Sequence, residues 1–236
     1  MSVAEPLEGL FVTGTDTEVG KTFVSIALMS LLREAGLPVH GFKPVAAGCE
    51  TTADGMRNED ALALQAMSDG LPGYDAVNPV ALRAPIAPHL AAADAGLQLA
   101  SESLVRHVRE RCPAGTMAVV EGAGGWLVPL NREQTLADVA VALGLPVVLV
   151  VAVRLGCINQ ALLTAGAIEA SGARLGGWIA NRPTAADVER PEGQIDALRE
   201  RINAPLLGIL QYHAVADARQ QAACLDRHAL LRLLNR

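Results

Sequence analysis

The stretch Gly14-Thr15-Asp16-Thr17-Glu18-Val19-Gly20-Lys21-Thr22 follows the apolar run Leu10-Phe11-Val12. A strand that enters a Gly-rich turn, closes on Gly-Lys-Thr and continues into a helix can hold a nucleoside triphosphate. Successive backbone N–H groups and the helix N-terminus face the phosphates, Lys21 supplies a point charge, and the Thr22 hydroxyl reaches Mg²⁺. The spacing departs from the usual pattern. Five residues separate Gly14 from Gly20 instead of four, and Thr15 stands where the first glycine would fall. Asp16 and Glu18 also lie inside a loop meant for anions, so Glu18 must point away from the phosphates or act on something else.

Further polar residues collect where aliphatic runs end. The run at 117–120 leads into Glu121-Gly122-Ala123-Gly124-Gly125, the run at 39–42 into Lys43-Pro44, and the run at 175–180 into Asn181-Arg182. In an open parallel sheet, ligands bind beyond the carboxyl ends of the strands. All these residues and the Gly-rich loop fall on that one edge. Mg²⁺ takes one or two carboxylates besides phosphate oxygens and water, and Glu121 is well placed to be one. Asp60 opens a predicted helix, and the pattern alone reads it equally as a second ligand or as a charge favoured by the helix dipole. Lys43 puts a second cation on the edge. It would serve either a phosphoryl group in transfer or a second, anionic substrate. Leu155-Gly156-Cys157-Ile158-Asn159 reads as a strand-to-helix turn in which Gly156 makes the bend and Asn159 caps or orients. No histidine lies near Cys157 in the sequence, which favours a backbone role over thiol chemistry.

The elements that must position these residues alternate along the whole chain. Strands are predicted at 9–13, 38–43, 79–83, 117–121, 147–153, 175–181 and 206–210. Helices are predicted at 21–35, 60–68, 101–111, 135–143, 159–171, 193–202 and 226–234. The first helix stops at Gly36 with Pro38 beyond, and Thr135 to Asp138 resembles a capping box. The segment Ala84-Pro85-Ile86-Ala87-Pro88-His89 reads as a surface loop. The expected fold is α/β: one domain over residues 1–236, with a doubly wound, mostly parallel sheet of seven strands. Composition agrees. Hydrophobic residues make up 51% and aromatics only 3%, so Ala, Val, Leu and Ile must build the core, as in a sheet covered on both faces.

A net charge of −6 gives no electrostatic reason for a nucleic acid or an acidic membrane as partner. The sequence has no run of membrane-spanning length, and Met1-Ser2-Val3-Ala4-Glu5 does not read as a signal peptide. The expected location is cytoplasmic. Cys49, Cys112, Cys157 and Cys224 lack paired spacing, so reduced thiols are expected. His40, His89, His107, His213 and His228 show no ligand spacing.

Six segments together resemble the dethiobiotin synthetases: Phe11 to Thr22, Gly41 to Val45, Arg57 to Leu62, Val120 to Trp126, Leu155 to Asn159, and Gly177 to Asn181. The resemblance runs in matching order from the first strand to the strand at 206–210, and the five-residue spacing of the loop is normal for that family. It implies a sheet of the P-loop NTPase type and a homodimeric ligase acting on 7,8-diaminopelargonate, CO₂ and MgATP. One amine takes up CO₂, the carbamate attacks the γ-phosphorus, and the second amine closes the ring and expels phosphate. By resemblance, Glu18, Val19, Gly20, Lys21, Thr22 and Phe23 form the nucleotide loop, and Thr22, Asp60 and Glu121 hold Mg²⁺. Lys43 sits beside the carbamate and γ-phosphate, with Thr17 and Lys21 at the substrate end. Glu121, Gly122, Ala123 and Gly124 line the nucleotide, and Asn181 and Arg182 lie at its base. Gly156, Cys157 and Asn159 reach the substrate carboxylate from the other subunit. Three positions depart from the family. Ala47 stands where a serine near the substrate is common, Arg182 where an acidic residue is frequent, and Gly208-Ile209-Leu210-Gln211 where Gly-Glu-Ile-Pro is usual. The first bears on substrate affinity, the other two on nucleotide preference. The competing readings are an amide ligase like the cobyrinate amidases, for whose usual glutaminase domain 236 residues leave no room, and a partitioning-type ATPase switch, whose loops carry a second lysine where this chain has Gly14-Thr15-Asp16.

Overall fold

The computed structural model describes residues 7–185, 188–212 and 217–236. The N-terminal residues Met1 to Glu5 and His213 lie outside them. In chain order the elements are β1 (Gly9–Gly14), α1 (Lys21–Glu34), β2 (Val39–Phe42), β3 (Val45–Ala47), β4 (Glu50–Thr52), β5 (Gly55–Arg57), α2 (Glu59–Met67), α3 (Tyr74–Val77), β6 (Val80–Leu82) and α4 (Pro88–Asp94). There follow α5 (Ser101–Arg111), β7 (Met117–Glu121), α6 (Leu136–Leu143), β8 (Val147–Ala152), α7 (Cys157–Ala170), β9 (Leu175–Asn181), α8 (Pro191–Arg199), β10 (Leu206–Leu210), a 3₁₀ turn (Gln220–Cys224) and α9 (Arg227–Leu233).

The central sheet is parallel throughout, in the order β10-β9-β8-β1-β7-β2. Strands β1, β2, β7 and β8 are buried at every position. Phe11, Val120, Leu149 and Trp178 face one core, and Leu10, Val12, Val119, Val148 and Val150 face the other. That is the period-two alternation of a sheet covered on both sides. The expected fold class is therefore observed, with six strands in the main sheet, not seven. Val80–Leu82, the predicted seventh strand, pairs instead with Val45–Ala47 in a separate two-stranded sheet. The cause lies at the exit of β2. The Lys43 backbone N–H donates to the Val77 carbonyl at 2.9 Å, and the Asn78 amide donates to the Lys43 carbonyl at 2.6 Å. The segment 77–82 is thus spent on holding Lys43 and does not extend the sheet edge.

Other expectations resolve locally. The Thr135–Asp138 capping box is formed. Gly36 leaves α1 with φ 80°, a left-handed conformation that suits glycine after a helix. The Pro-rich segment is a loop only as far as Ala87, because Pro88 takes the first position of α4, where its missing N–H costs no helical bond. Among the described residues, no helix is long and apolar enough to cross a membrane.

Candidate active site

Strand register assembles the site. Val12 is level with Glu121, and Phe42 with Val120. Lys43, one residue past Phe42, therefore emerges beside Glu121, while the loop that leaves β1 at Gly14 returns to α1 next to both. Gly20 closes that loop at φ 87°, and α1 begins at Lys21 with its N-terminal N–H groups turned to the loop.

The centre is an ion-pair network. The Lys43 ammonium donates to Glu121 Oε1 at 2.6 Å and to Asp60 Oδ2 at 2.9 Å. The Thr22 hydroxyl donates to the same Glu121 Oε1 at 2.8 Å. The side chain of Lys43 is 5% exposed and that of Glu121 is fully buried. Burial alone would lower the Lys43 pKa, but Glu121 and Asp60 outweigh it and hold the group above its ordinary value. Burial likewise pushes Asp60 up, and the Lys43 ammonium outweighs it, leaving the carboxyl below its usual range. Lys21 is different. Its ammonium donates to the Asp16 carbonyl at 2.8 Å and has no carboxylate in direct contact. Burial, helped by the nearby Lys43 charge, lowers its pKa to about 8.

The Asp16 carboxylate is engaged outside this network. The Asp16 carboxylate accepts the Thr17 backbone N–H at 2.8 Å and pairs with Arg154 at 3.3 Å. Glu18 is exposed and takes φ 56°, an uncommon region for a residue with a side chain. At the other end of the loop, the buried Asn181 amide donates to the Val19 carbonyl at 2.8 Å. Arg182 reaches Gln211 at 3.3 Å, so two of the positions that depart from the family touch each other.

A cleft of about 680 Å³ opens on the network. Asp16, Thr17, Glu18, Lys21, Lys43 and Asp60 form its polar floor, and Ala47, Ala123 and Gly124 also line it. The rest of the lining is apolar, made by Pro85 and Ile86 of one loop with Pro88 at the start of α4, and by Leu127, Val128 and Pro129. Sequence reasoning missed these apolar residues. The signal for the first set was two prolines directly after a strand that reaches the ligand edge; Leu127 to Pro129 carried none beyond following the Gly-rich turn.

Val19, Gly20, Thr22 and Phe23 build the loop and the start of α1 from behind and do not line the cleft. Nor does Gly122, whose N–H donates to the Val12 carbonyl. Gly156, Cys157 and Asn159 do not line the cleft of their own chain either. Cys157 is buried, with Sγ 3.1 Å from Gln194 Oε1, while Asn159 is exposed beside Leu155, itself 97% exposed.

The oxygens of Thr22, Asp60 and Glu121 suit a hard cation such as Mg²⁺. A buried atom supports that fit, since Glu121 Oε2 has no hydrogen-bond partner. Among the described residues, no group of three or more His, Cys, Asp or Glu could hold a metal. The donor set here is two carboxylates and a hydroxyl.

Comparison with known proteins finds relatives over most of the chain. A family model described as an AAA domain matches residues 8–220. The ATP-dependent dethiobiotin synthetase BioD of Xanthomonas axonopodis pv. citri is 52% identical over 212 residues, covering 90% of this chain and 94% of that protein. The protein of the same name from Cellvibrio japonicus is 49% identical over 95% of this chain and 98% of its own length. Among solved structures, a chain of the MinC:MinD cell division protein complex of Aquifex aeolicus superposes with a TM-score of 0.60 at 16% identity, covering 97% of this chain and 96% of that one. At that identity the likeness speaks to the α/β P-loop fold alone.

Proposed function

The chain belongs to the ATP-dependent dethiobiotin synthetase family, and from that membership we propose that it closes the ring of dethiobiotin from 7,8-diaminopelargonate and CO₂ at the expense of ATP. The observation that carries the reading is one cleft that joins two ammonium groups, Lys21 and Lys43, to an apolar lining. The diamine has a long hydrocarbon chain at one end and reacts at the other. Its chain lies along Pro85, Ile86, Leu127 and Val128, which presents the amines to Lys21 and Lys43.

One amine adds to CO₂ and becomes a carbamate, losing a proton. The carbamate oxygen attacks the γ-phosphorus and ADP leaves. The second amine then attacks the carbamoyl carbon, closing the ring and expelling phosphate. Carbamate and triphosphate repel each other, so the work of the site is to position both and neutralise their charge. Lys21 holds the phosphates, with the N–H groups at the start of α1. Lys43, the second ammonium on the cleft, meets the carbamate and the transferring phosphoryl group. Thr22, Asp60 and Glu121 would hold Mg²⁺, which when bound supplies further neutralisation of phosphate charge.

In this reading the enzyme is a homodimer, and Gly156, Cys157 and Asn159 complete the partner's cleft at the substrate carboxylate. Two features support it: Asn159 projects from its own subunit, and the neighbouring Leu155 and Leu163 are exposed apolar side chains of the kind an interface covers. Asn181 and Arg182 serve the nucleotide at its far end.

Incubating the protein with 7,8-diaminopelargonate, bicarbonate and MgATP and following dethiobiotin by mass spectrometry tests the proposal. Product that requires all three is the expected result. Phosphate release that ignores the diamine, with no dethiobiotin formed, would favour an ATPase switch and overturn it.

A further inference from the structure

Glu121 Oε1 accepts from Lys43 at 2.6 Å and from Thr22 at 2.8 Å, and Asp60 Oδ2 accepts from the same Lys43 at 2.9 Å. Every direct neighbour of the Lys43 ammonium in this network is therefore one of the oxygen ligands assigned above to the divalent cation. A cation shared by Thr22, Asp60 and Glu121 and the ammonium of Lys43 need the same oxygens. We propose that Lys43 is a tethered stand-in for that cation: its ammonium occupies the carboxylate pair in the nucleotide-free enzyme, and the cation enters only together with the triphosphate, turning Lys43 out into the cleft. The inference rests on the assignment of Thr22, Asp60 and Glu121 as the metal ligands.

Charge and hydration give the reason. The centre already holds two carboxylates, Asp60 and Glu121, against two ammonium groups, Lys21 and Lys43. With Asp16, whose charge also reaches Lys21, paired to Arg154 at 3.3 Å, these four groups balance formally before any ligand arrives. A free divalent ion entering a neutral, largely buried centre would lose hydration and leave an excess of positive charge. Mg²⁺, which dehydrates reluctantly, gains little from such a move. The triphosphate reverses the sign. It brings several negative charges and further oxygens, which makes room for the divalent ion and gives the displaced ammonium a new anionic partner. The orphaned Glu121 Oε2 fits the same scheme. A lysine can satisfy only one oxygen of that carboxylate in this geometry, whereas a cation in front of it can draw on the second. Lys43 would thus be delivered to the reacting phosphoryl group only when metal and nucleotide are both in place, which limits idle hydrolysis.

The probe is Mn²⁺, read by electron paramagnetic resonance. Without nucleotide, Lys43→Gln is expected to bind Mn²⁺ at least tenfold more tightly than wild type. Equal affinity would overturn the proposal. With a non-hydrolysable ATP analogue present, wild type is expected to bind Mn²⁺ tightly, and Asp60→Asn to weaken that binding at least tenfold. If Asp60→Asn has no effect there, the ligand assignment itself fails and the inference with it; if the assignment holds while wild type takes up Mn²⁺ alone as tightly as Lys43→Gln, the inference alone fails. A measurement on wild type guards against a variant that does not fold. In protein labelled with ¹⁵N at lysine Nζ, the Lys43 signal is expected to stay in place on adding Mg²⁺ alone and to move on adding Mg²⁺ with the analogue. A shift with Mg²⁺ alone, or none with the pair, would overturn the proposal.

Discussion

Gly20 and Asn181 are interlocked. A Cβ on Gly20 would sit 2.2 Å from the Asn181 amide nitrogen, and that amide donates to the carbonyl of Val19 at 2.8 Å. The last strand position of β9 thus clamps the back of the loop between β1 and α1, and the loop can be clamped only because its last turn lacks a side chain. Asn181→Ala leaves the Val19 carbonyl without its donor, a loss worth about 1–3 kcal/mol. It is expected to lower the midpoint of thermal unfolding and to weaken nucleotide binding together. Gly20→Ala adds the strain of φ 87° to the clash and is expected to weaken nucleotide binding more than it lowers the unfolding midpoint. Calorimetric titration and thermal melts of both variants check the pair.

The Lys21 ammonium is buried and donates to a backbone carbonyl, that of Asp16. Its pKa is lowered from 10.5 to about 8 by burial and then by Lys43. A cation whose folded pKa lies below its unfolded value costs stability wherever it is charged. That cost is fully present below about pH 8 and is relieved as the pH rises from about 8 toward 10.5. Lys21→Met removes it, so the nucleotide-free variant is expected to be more stable than wild type at pH 7, by about 1–3 kcal/mol. The same variant should lose nucleotide affinity by two orders of magnitude or more. Urea unfolding of the two proteins, with and without MgATP, measures both effects. A variant less stable than wild type without nucleotide would contradict the account.

The low pKa of Lys21 also predicts proton uptake. Near pH 8 the group is part neutral in the empty enzyme, and the arriving phosphates favour its charged form. Nucleotide binding is therefore expected to take up a fraction of a proton at pH 8 through Lys21, and much less at pH 6.5, where the group is already charged. Titration calorimetry in buffers of different ionisation enthalpy reads the number directly, and the pH dependence should vanish in Lys21→Met.

The fold and the polar floor were legible in sequence for local reasons. Aliphatic strands flanked by glycine and helix signals give period and order, and the rule that ligands gather at the carboxyl ends of parallel strands put Lys21, Lys43 and Glu121 on one edge. Asp60 stayed ambiguous because its partner, Lys43, is 17 residues away and only the folded chain brings them together. The extra sheet strand failed for a related reason. Val80–Leu82 has strand composition, but the hydrogen bonds from Lys43 and Asn78 that divert it are tertiary. The apolar lining from Pro85 to Pro88 and Leu127 to Pro129 was illegible because it follows no period. It becomes a surface only when the fold brings the two segments to one cleft.

Mixing two variants counts how many chains make one site. If Asn159 completes the partner's cleft while Lys43 serves its own, a subunit bearing Lys43→Gln and a subunit bearing Asn159→Asp fail in different places. Homodimers of either variant are expected to be nearly inactive in dethiobiotin formation. In a heterodimer with twofold symmetry, both lesions fall in one site and the other site is intact. Random mixing of equal amounts makes half the dimers mixed, so activity should recover to about a quarter of the wild-type value per subunit. Mixing after reversible dissociation, with product formation as the readout, measures it. If Asn159 acted within its own chain, every site in the mixture would carry one lesion and no activity would return.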